Sequence, residues 1–273
     1  MGLGYTTIMY DADAVADGIA DVGACRYDGV EIGLEKVRAV GPDRLADRLD
    51  EHDLDLYCVM SEWLTDADAV DRIVEAAPTV ADLGAEFYGI LPPQRGRQDE
   101  ATLERWLADI CGAAADAGLR PVLHHHGATM VERPAEIESW LDRAPDDLEL
   151  LFDTAHYYPY GEAYPDGDVT GGIERFADDT AYVHVKDVDP PAGFDDHTAA
   201  LTAGEFHLDD VINYFRAFTD LGAGVIDFAA VREALSAAGY DGHVTVEIEN
   251  ETELPLVHAK QNFDYWTRLA DDA

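Results

Sequence analysis

The side chains best suited to chemistry sit at the ends of short apolar runs. Arg120 to Arg133 reads RPVLHHHGATMVER, an apolar run that breaks into His124, His125 and His126 in a chain with only ten histidines. LLFDTAH ends on Asp153, with His156 three residues on; YVHVKD carries His184 and Lys186; VTVEIEN carries Glu247 and Glu249. Side chains alternate along an extended strand, so His184 and Lys186 share a face, as do Glu247 and Glu249. By the same rule His124 and His126 face one way and His125 the other. Imidazole nitrogens and carboxylate oxygens from four strand ends make a mixed donor set suited to a divalent ion such as Mn, Co, Zn or Mg. Each residue alone has a plainer reading: a strand histidine as a satisfied core residue, Asp153 as the cap of the next turn. Their joint occurrence points to a site.

The elements needed to bring these ends together recur along the whole chain. Strand patterns fall at residues 4–10, 28–33, 54–60, 86–91, 120–126, 148–153, 181–186 and 243–249, with amphipathic helical stretches between them and a last helix after residue 252. Eight strand–helix units in 273 residues predict a single (β/α)8 TIM barrel spanning residues 1–273, whose active site would form at the C-terminal ends of the strands. A doubly wound sheet would want a Gly-rich turn after its first strand, where YDADAVADG offers none. Gly23, Gly118 and Gly239 fall where helix C-caps are expected. Residues 187–226 are too long for an ordinary connection and read as a lid or pocket wall over the barrel mouth, with a short helix around Leu208–Phe218.

Composition narrows the function classes. With 47% hydrophobic residues the chain can bury a large core, yet 57 Asp+Glu against 18 Lys+Arg give a net charge of −39. The acids are dispersed, and the only lysines are Lys36, Lys186 and Lys260, a pattern like that of proteins from salt-loving organisms. Such a field repels nucleic acid. Cys25, Cys58 and Cys111 are far apart and in apolar surroundings, which predicts buried thiols in a reducing, cytoplasmic setting. No 18-residue apolar run predicts a membrane span, and MGLGYT matches an acylation pattern but reads as the start of a strand. The sequence leaves the assembly open, a homo-oligomer included.

In order, YDGVEIG, HHHGATMVE, FDTAH, VHVKDV, FTDLGAGVIDF and GYDGHVTVEIE make the chain resemble the xylose-isomerase-like barrels, which include sugar isomerases and epimerases, inosose dehydratase and, more distantly, endonuclease IV. The resemblance implies that Asp153, His184 and Glu247 are metal ligands and that His126 and His156 contact substrate. It also implies that Lys186 and Glu31 line the pocket. Epimerases of this family carry a Glu at the end of strand five, where this chain has His124, so the fourth ligand is either His124 or Glu132. Glu132 is also a possible base. Of Glu247 and Glu249, the resemblance selects Glu247 as ligand and possible acid or base. Tyr157, Tyr158 and Tyr160 either contact a sugar ring or pack the loop.

The shared chemistry is proton removal next to a carbonyl of a sugar or polyol, with Glu247, His156, Lys186 and Glu132 as the acid–base candidates. An isomerase or epimerase is the first expectation, an inosose-dehydratase-like lyase the alternative, and a non-catalytic metal-binding barrel a third. An endonuclease is disfavoured by the charge. If the acidic surface is an adaptation to salt, the melting temperature rises as KCl goes from dilute to molar, since screening relieves self-repulsion; a flat or falling curve would refute it.

Overall fold

The computed structural model describes residues 1–249 and 253–271. Seven parallel strands come first: β1 (Gly2–Thr6), β2 (Gly29–Gly33), β3 (Asp55–Trp63), β4 (Phe87–Leu91), β5 (Arg120–His124), β6 (Glu149–Asp153) and β7 (Thr180–Val185). A short antiparallel pair follows, β8 (Asp187–Val188) with β9 (Phe218–Thr219), and β10 (His243–Val246) closes the barrel between β7 and β1. The expected TIM barrel is the observed fold.

The barrel interior is built in layers. At its N-terminal end Arg120 bridges Glu86 (2.8 Å) and Glu149 (2.7 Å) and lies 4.7 Å from the Phe87 ring centroid. The Tyr57 ring stacks on His243 at 3.7 Å, and Tyr182 stacks on Phe87 at 5.1 Å. Tyr57, Phe87 and Tyr182 join Cys58, Met60, Val122 and Leu151 in a buried plug. Two residues further along the strands, on the same face, Val122 gives way to His124, Leu151 to Asp153, Tyr182 to His184 and Thr245 to Glu247. The period of two therefore places a polar layer directly on an apolar one.

The outward faces (Leu123, Leu150, Phe152, Val183, Val185, Val244 and Val246) pack under the helices. The helix Glu100–Ala117 shows how one is fixed: Asp99 accepts from the Thr102 N–H at 2.7 Å, Leu103, Trp106, Leu107, Ile110 and Ala114 supply the buried stripe, and Gly118 ends it at φ 81°. Gly239 is likewise left-handed, at φ 75°. Gly23 is not a cap: it lies inside the helix Val15–Ala24, where a Cβ would stand 2.9 Å from that of His52, and Arg26 takes the positive φ. All three cysteines are buried and free.

Three strands end earlier than their sequence pattern suggested. β1 stops at Thr6, and the buried Lys36 ammonium collects the next carbonyls, Thr7 O at 2.6 Å and Ile8 O at 3.0 Å. β5 stops at His124 because the His126 N–H turns to Val131 O (2.9 Å), and β10 stops at Val246.

Residues 187–226 form a folded unit with two helices, Phe194–Thr202 and Leu208–Arg216, stapled by His197 Nδ1 and Asp210 Oδ1 at 2.7 Å. Its two ends are tied by Asp187, a fully buried carboxylate that accepts from the N–H groups of Val188, Gly222, Gly224 and Ile226 at 2.8–3.0 Å. Each such donor left unpaired in the interior would cost about 1–3 kcal/mol, which makes Asp187 the closure of the unit. Among the described residues no helix is long and apolar enough to cross a membrane.

Candidate metal centre and pocket

His124, Asp153, His184 and Glu247 each offer a ligand atom, and these atoms all lie within 4.8 Å of one another in a buried group. The orientation of each is set from behind. Asp153 Oδ1 caps the following turn, accepting from the N–H groups of Ala155 (2.8 Å) and His156 (2.9 Å), which leaves Oδ2 for the cluster. The capping and ligand readings of Asp153 thus use different oxygens. His184 Nε2 lies 2.9 Å from Glu31 Oε2; the carboxylate oxygen accepts, so Nε2 carries a hydrogen, and Nδ1 faces Asp153 and Glu247. Burial is outweighed by Glu31 and Glu247, which hold the ring well above the usual histidine range, and a metal ion would replace the proton at Nδ1. Both ring nitrogens of His124, Asp153 Oδ2 and His184 Nδ1 are buried without a hydrogen-bond partner. One nitrogen of His124, with Asp153 Oδ2 and His184 Nδ1, left unpaired together in one buried spot, fit a divalent cation, which would take one atom from each.

The triple histidine divides its work by parity. His124 faces inward to the cluster. His125 points outward, where its Nε2 accepts the Asp153 N–H at 2.9 Å and its ring packs on Phe152. His126 faces inward again and lines a cavity of about 270 Å³ at the mouth. Its Nδ1 donates to Gly127 O at 2.7 Å, leaving Nε2 as an acceptor. Burial pushes the His125 and His126 rings down to about 3 and holds His156 well below the usual range.

Charge in the cluster is set by opposition between burial and neighbours. Burial opposes ionisation of Asp153, but the Lys186 ammonium and then His124 outweigh it and hold the carboxyl below the usual range. For Glu247 burial is likewise outweighed, by Lys186 and His184. Burial opposes the charge on Lys186, which Asp153, Glu247 and Glu249 nevertheless raise above the normal lysine range. Glu249, where burial and Glu247 win over Lys186, is pushed up to about 7.

The structure does not bring every expected residue to the cluster. Glu132 is excluded from it: its fully buried carboxylate pairs with Arg95 at 2.9 Å and accepts from the Ala128 N–H at 2.7 Å and from Tyr160 at 3.3 Å. It organises the loop after β5, and His124 is the fourth member of the group. Tyr157 is wall packing, its ring 5.2 Å from Phe152, and does not line the cavity. Glu31 lines the cavity and also buttresses His184. Glu249, passed over in favour of Glu247, bonds Lys186 and lines the cavity beside Glu247. Sequence reading missed Trp63 and Phe215, which face His126 at 4.9 and 6.1 Å between centroids. It also missed Tyr214, whose hydroxyl meets His156 Nδ1 at 2.9 Å. The aromatic content of LDDVINYFR in the long insertion was the available signal.

Comparisons with known proteins give the family. The chain belongs to the xylose isomerase-like TIM barrel family, whose profile matches residues 17–269. Inosose dehydratase of Histophilus somni (strain 129Pt) is 32% identical over 166 residues, covering 59% of this chain and 52% of that one. The chain thus spans about half the length of the first curated relatives it matches. Inosose dehydratase of Glaesserella parasuis serovar 5 is 29% identical over 274 residues, covering 92% of this chain and 89% of that one. Among solved structures, L-ribulose 3-epimerase superposes with a TM-score of 0.75 at 18% identity, over 99% of this chain and 95% of that one. The IolI protein with a bound zinc atom gives 0.71 at 16%, over 100% and 97%. These structural likenesses show the fold.

Removing the charge behind His184 tests the site. Glu31→Gln is expected to weaken divalent-ion affinity about 10–100-fold in chelator competition, because Nε2–H loses its anionic acceptor; unchanged affinity would separate Glu31 from the centre.

Proposed function

We propose that the chain is a divalent-metal-dependent enzyme that moves a proton next to the carbonyl of a single-ring polyol substrate, and that the reaction is loss of water from an inosose-like cyclic ketone. A divalent ion held by His124, Asp153, His184 and Glu247 would supply Lewis-acid polarisation of the substrate carbonyl. The size of the cavity, at the lower end of the range for small-molecule sites, suits one ring. Its lining combines polar groups, among them Glu31, Lys36, His124, His126, Glu247 and Glu249, with apolar ones, among them Ile8, Leu34, Met60, Trp63 and Phe215.

The observation that carries the lyase reading is Glu249, a carboxylate that lines the cavity beside the four-residue group and stands outside it. We assign Glu249 the removal of the proton from carbon. An epimerase must return a proton to the opposite face. His126, also part of the cavity lining, keeps its only hydrogen on Gly127 O, and Glu132 is bound to Arg95. Elimination needs no second donor: the proton taken by Glu249 passes to the leaving hydroxyl, and one water departs. The sequence relatives named inosose dehydratase support this reading. The structural neighbours named epimerases support the second reading, isomerisation or epimerisation of a ketose on the same scaffold.

The two separate on a panel of inososes, ketoses and aldoses in deuterated water with Mn²⁺-loaded protein. The lyase reading expects enone absorbance from an inosose, and a fall in turnover of at least about a hundredfold in Glu249→Gln with metal content retained. Deuterium incorporated into a ketose without absorbance would replace it by the isomerase reading, and no turnover of any substrate would leave a metal-binding barrel.

A further inference from the structure

The cluster has a second half. His156, Glu247 and Glu249 form another group whose ligand atoms lie within 4.8 Å of one another, and Glu247 belongs to both groups. The Lys186 ammonium stands inside this second group: it donates to Glu247 Oε2 at 2.6 Å, to Glu249 Oε2 at 2.5 Å and to His156 Nε2 at 3.3 Å. An ammonium only donates, so the Nε2 lone pair of His156 is turned inward and Nδ1–H is directed to Tyr214, as a metal-binding imidazole would be.

The lysine is held in this position along its whole length. It is fully buried, its N–H and C=O both bond the Thr154 hydroxyl (3.0 and 2.8 Å), and its ammonium lies 4.6 Å from the Phe218 ring centroid. Asp153 Oδ2 is 3.4 Å away, so the same cation faces both groups.

We infer that Lys186 is a tethered monocation standing where a second divalent ion would otherwise bind, and that it keeps this centre mononuclear. This rests on the reading of the first group as a metal site. Two ions sharing a carboxylate would clamp two substrate oxygens. An ammonium at the second position neutralises Glu247 and Glu249 but offers no open coordination, so substrate oxygens meet a metal at one point only. Glu249 then remains a proton-moving carboxylate instead of a ligand.

The test is metal stoichiometry, read by elemental analysis after saturation with Mn²⁺ or Co²⁺ and gel filtration, with circular dichroism to confirm folding. Wild type is expected to hold one ion per chain, Lys186→Ala two, and Lys186→Ala with Glu249→Gln one again. A folded Lys186→Ala protein that holds a single ion overturns the inference, as does a wild type holding two. A wild type with none and Lys186→Ala with one would instead remove the four-residue group and leave the second group standing. Should the alanine variant not fold, anomalous diffraction from metal-soaked wild-type crystals decides: one peak, beside His124, is expected, and a second peak among His156, Glu247 and Glu249 overturns the inference.

Discussion

Four carboxylates, those of Glu31, Asp153, Glu247 and Glu249, converge at a barrel mouth whose floor is a buried aromatic plug, and the whole site depends on how their charge is compensated. Two like charges 4 Å apart repel by about 4 kcal/mol at an effective dielectric of 20, so such a group holds together only with cations between its members. Lys186 bonds two of the carboxylates and lies 3.4 Å from a third, and His184 bonds the fourth. The lone pairs that still lack partners mark where one further cation belongs. The plug matters because it keeps water from beneath the cluster, and weak screening makes every one of these pairings stronger.

The same compensation reaches outward into the insertion after β7. Tyr214 enters from the helix Leu208–Arg216 to bond His156, and Phe218 from β9 covers the Lys186 ammonium. Tyr214 can come this close only because residue 127 is glycine: a Cβ there would lie 1.9 Å from the Tyr214 hydroxyl. The HHHG run is therefore one device. Its histidines supply a ligand, a buttress and a cavity wall, and its glycine admits the side chain that orients His156. Asp187, immediately after Lys186, closes the insertion on itself, so the segment that shapes the pocket is anchored at the strand that carries the lysine.

Much of this was legible in the sequence because a strand's period of two is rigid. Once the apolar runs were counted as eight strands, the inward side chains at their ends had to meet, and His124, Asp153, His184 and Glu247 do. The resemblance to the xylose-isomerase-like barrels named three of them and left the fourth open between His124 and Glu132. What escaped was set by contacts between residues far apart in the chain. Glu132 looked available until Arg95, from the loop after β4, took it. Tyr157, open between ligand contact and loop packing, faces Phe152. Glu249 was passed over for Glu247, yet the strand stops at Val246 and the chain then brings Glu249 to Lys186. The lysine count told more than it first showed: Lys36 and Lys186 are both buried, which leaves Lys260 as the exposed lysine of a highly acidic protein.

The central claim is that two inward imidazoles and two carboxylates share one divalent ion. X-ray absorption fine structure on the protein loaded with one equivalent of Co²⁺ addresses it directly. The account predicts a first shell of nitrogen and oxygen with the outer-shell scattering of two imidazole rings, reduced to one ring in His124→Ala. A spectrum without imidazole scattering, or one unchanged by His124→Ala, would contradict it.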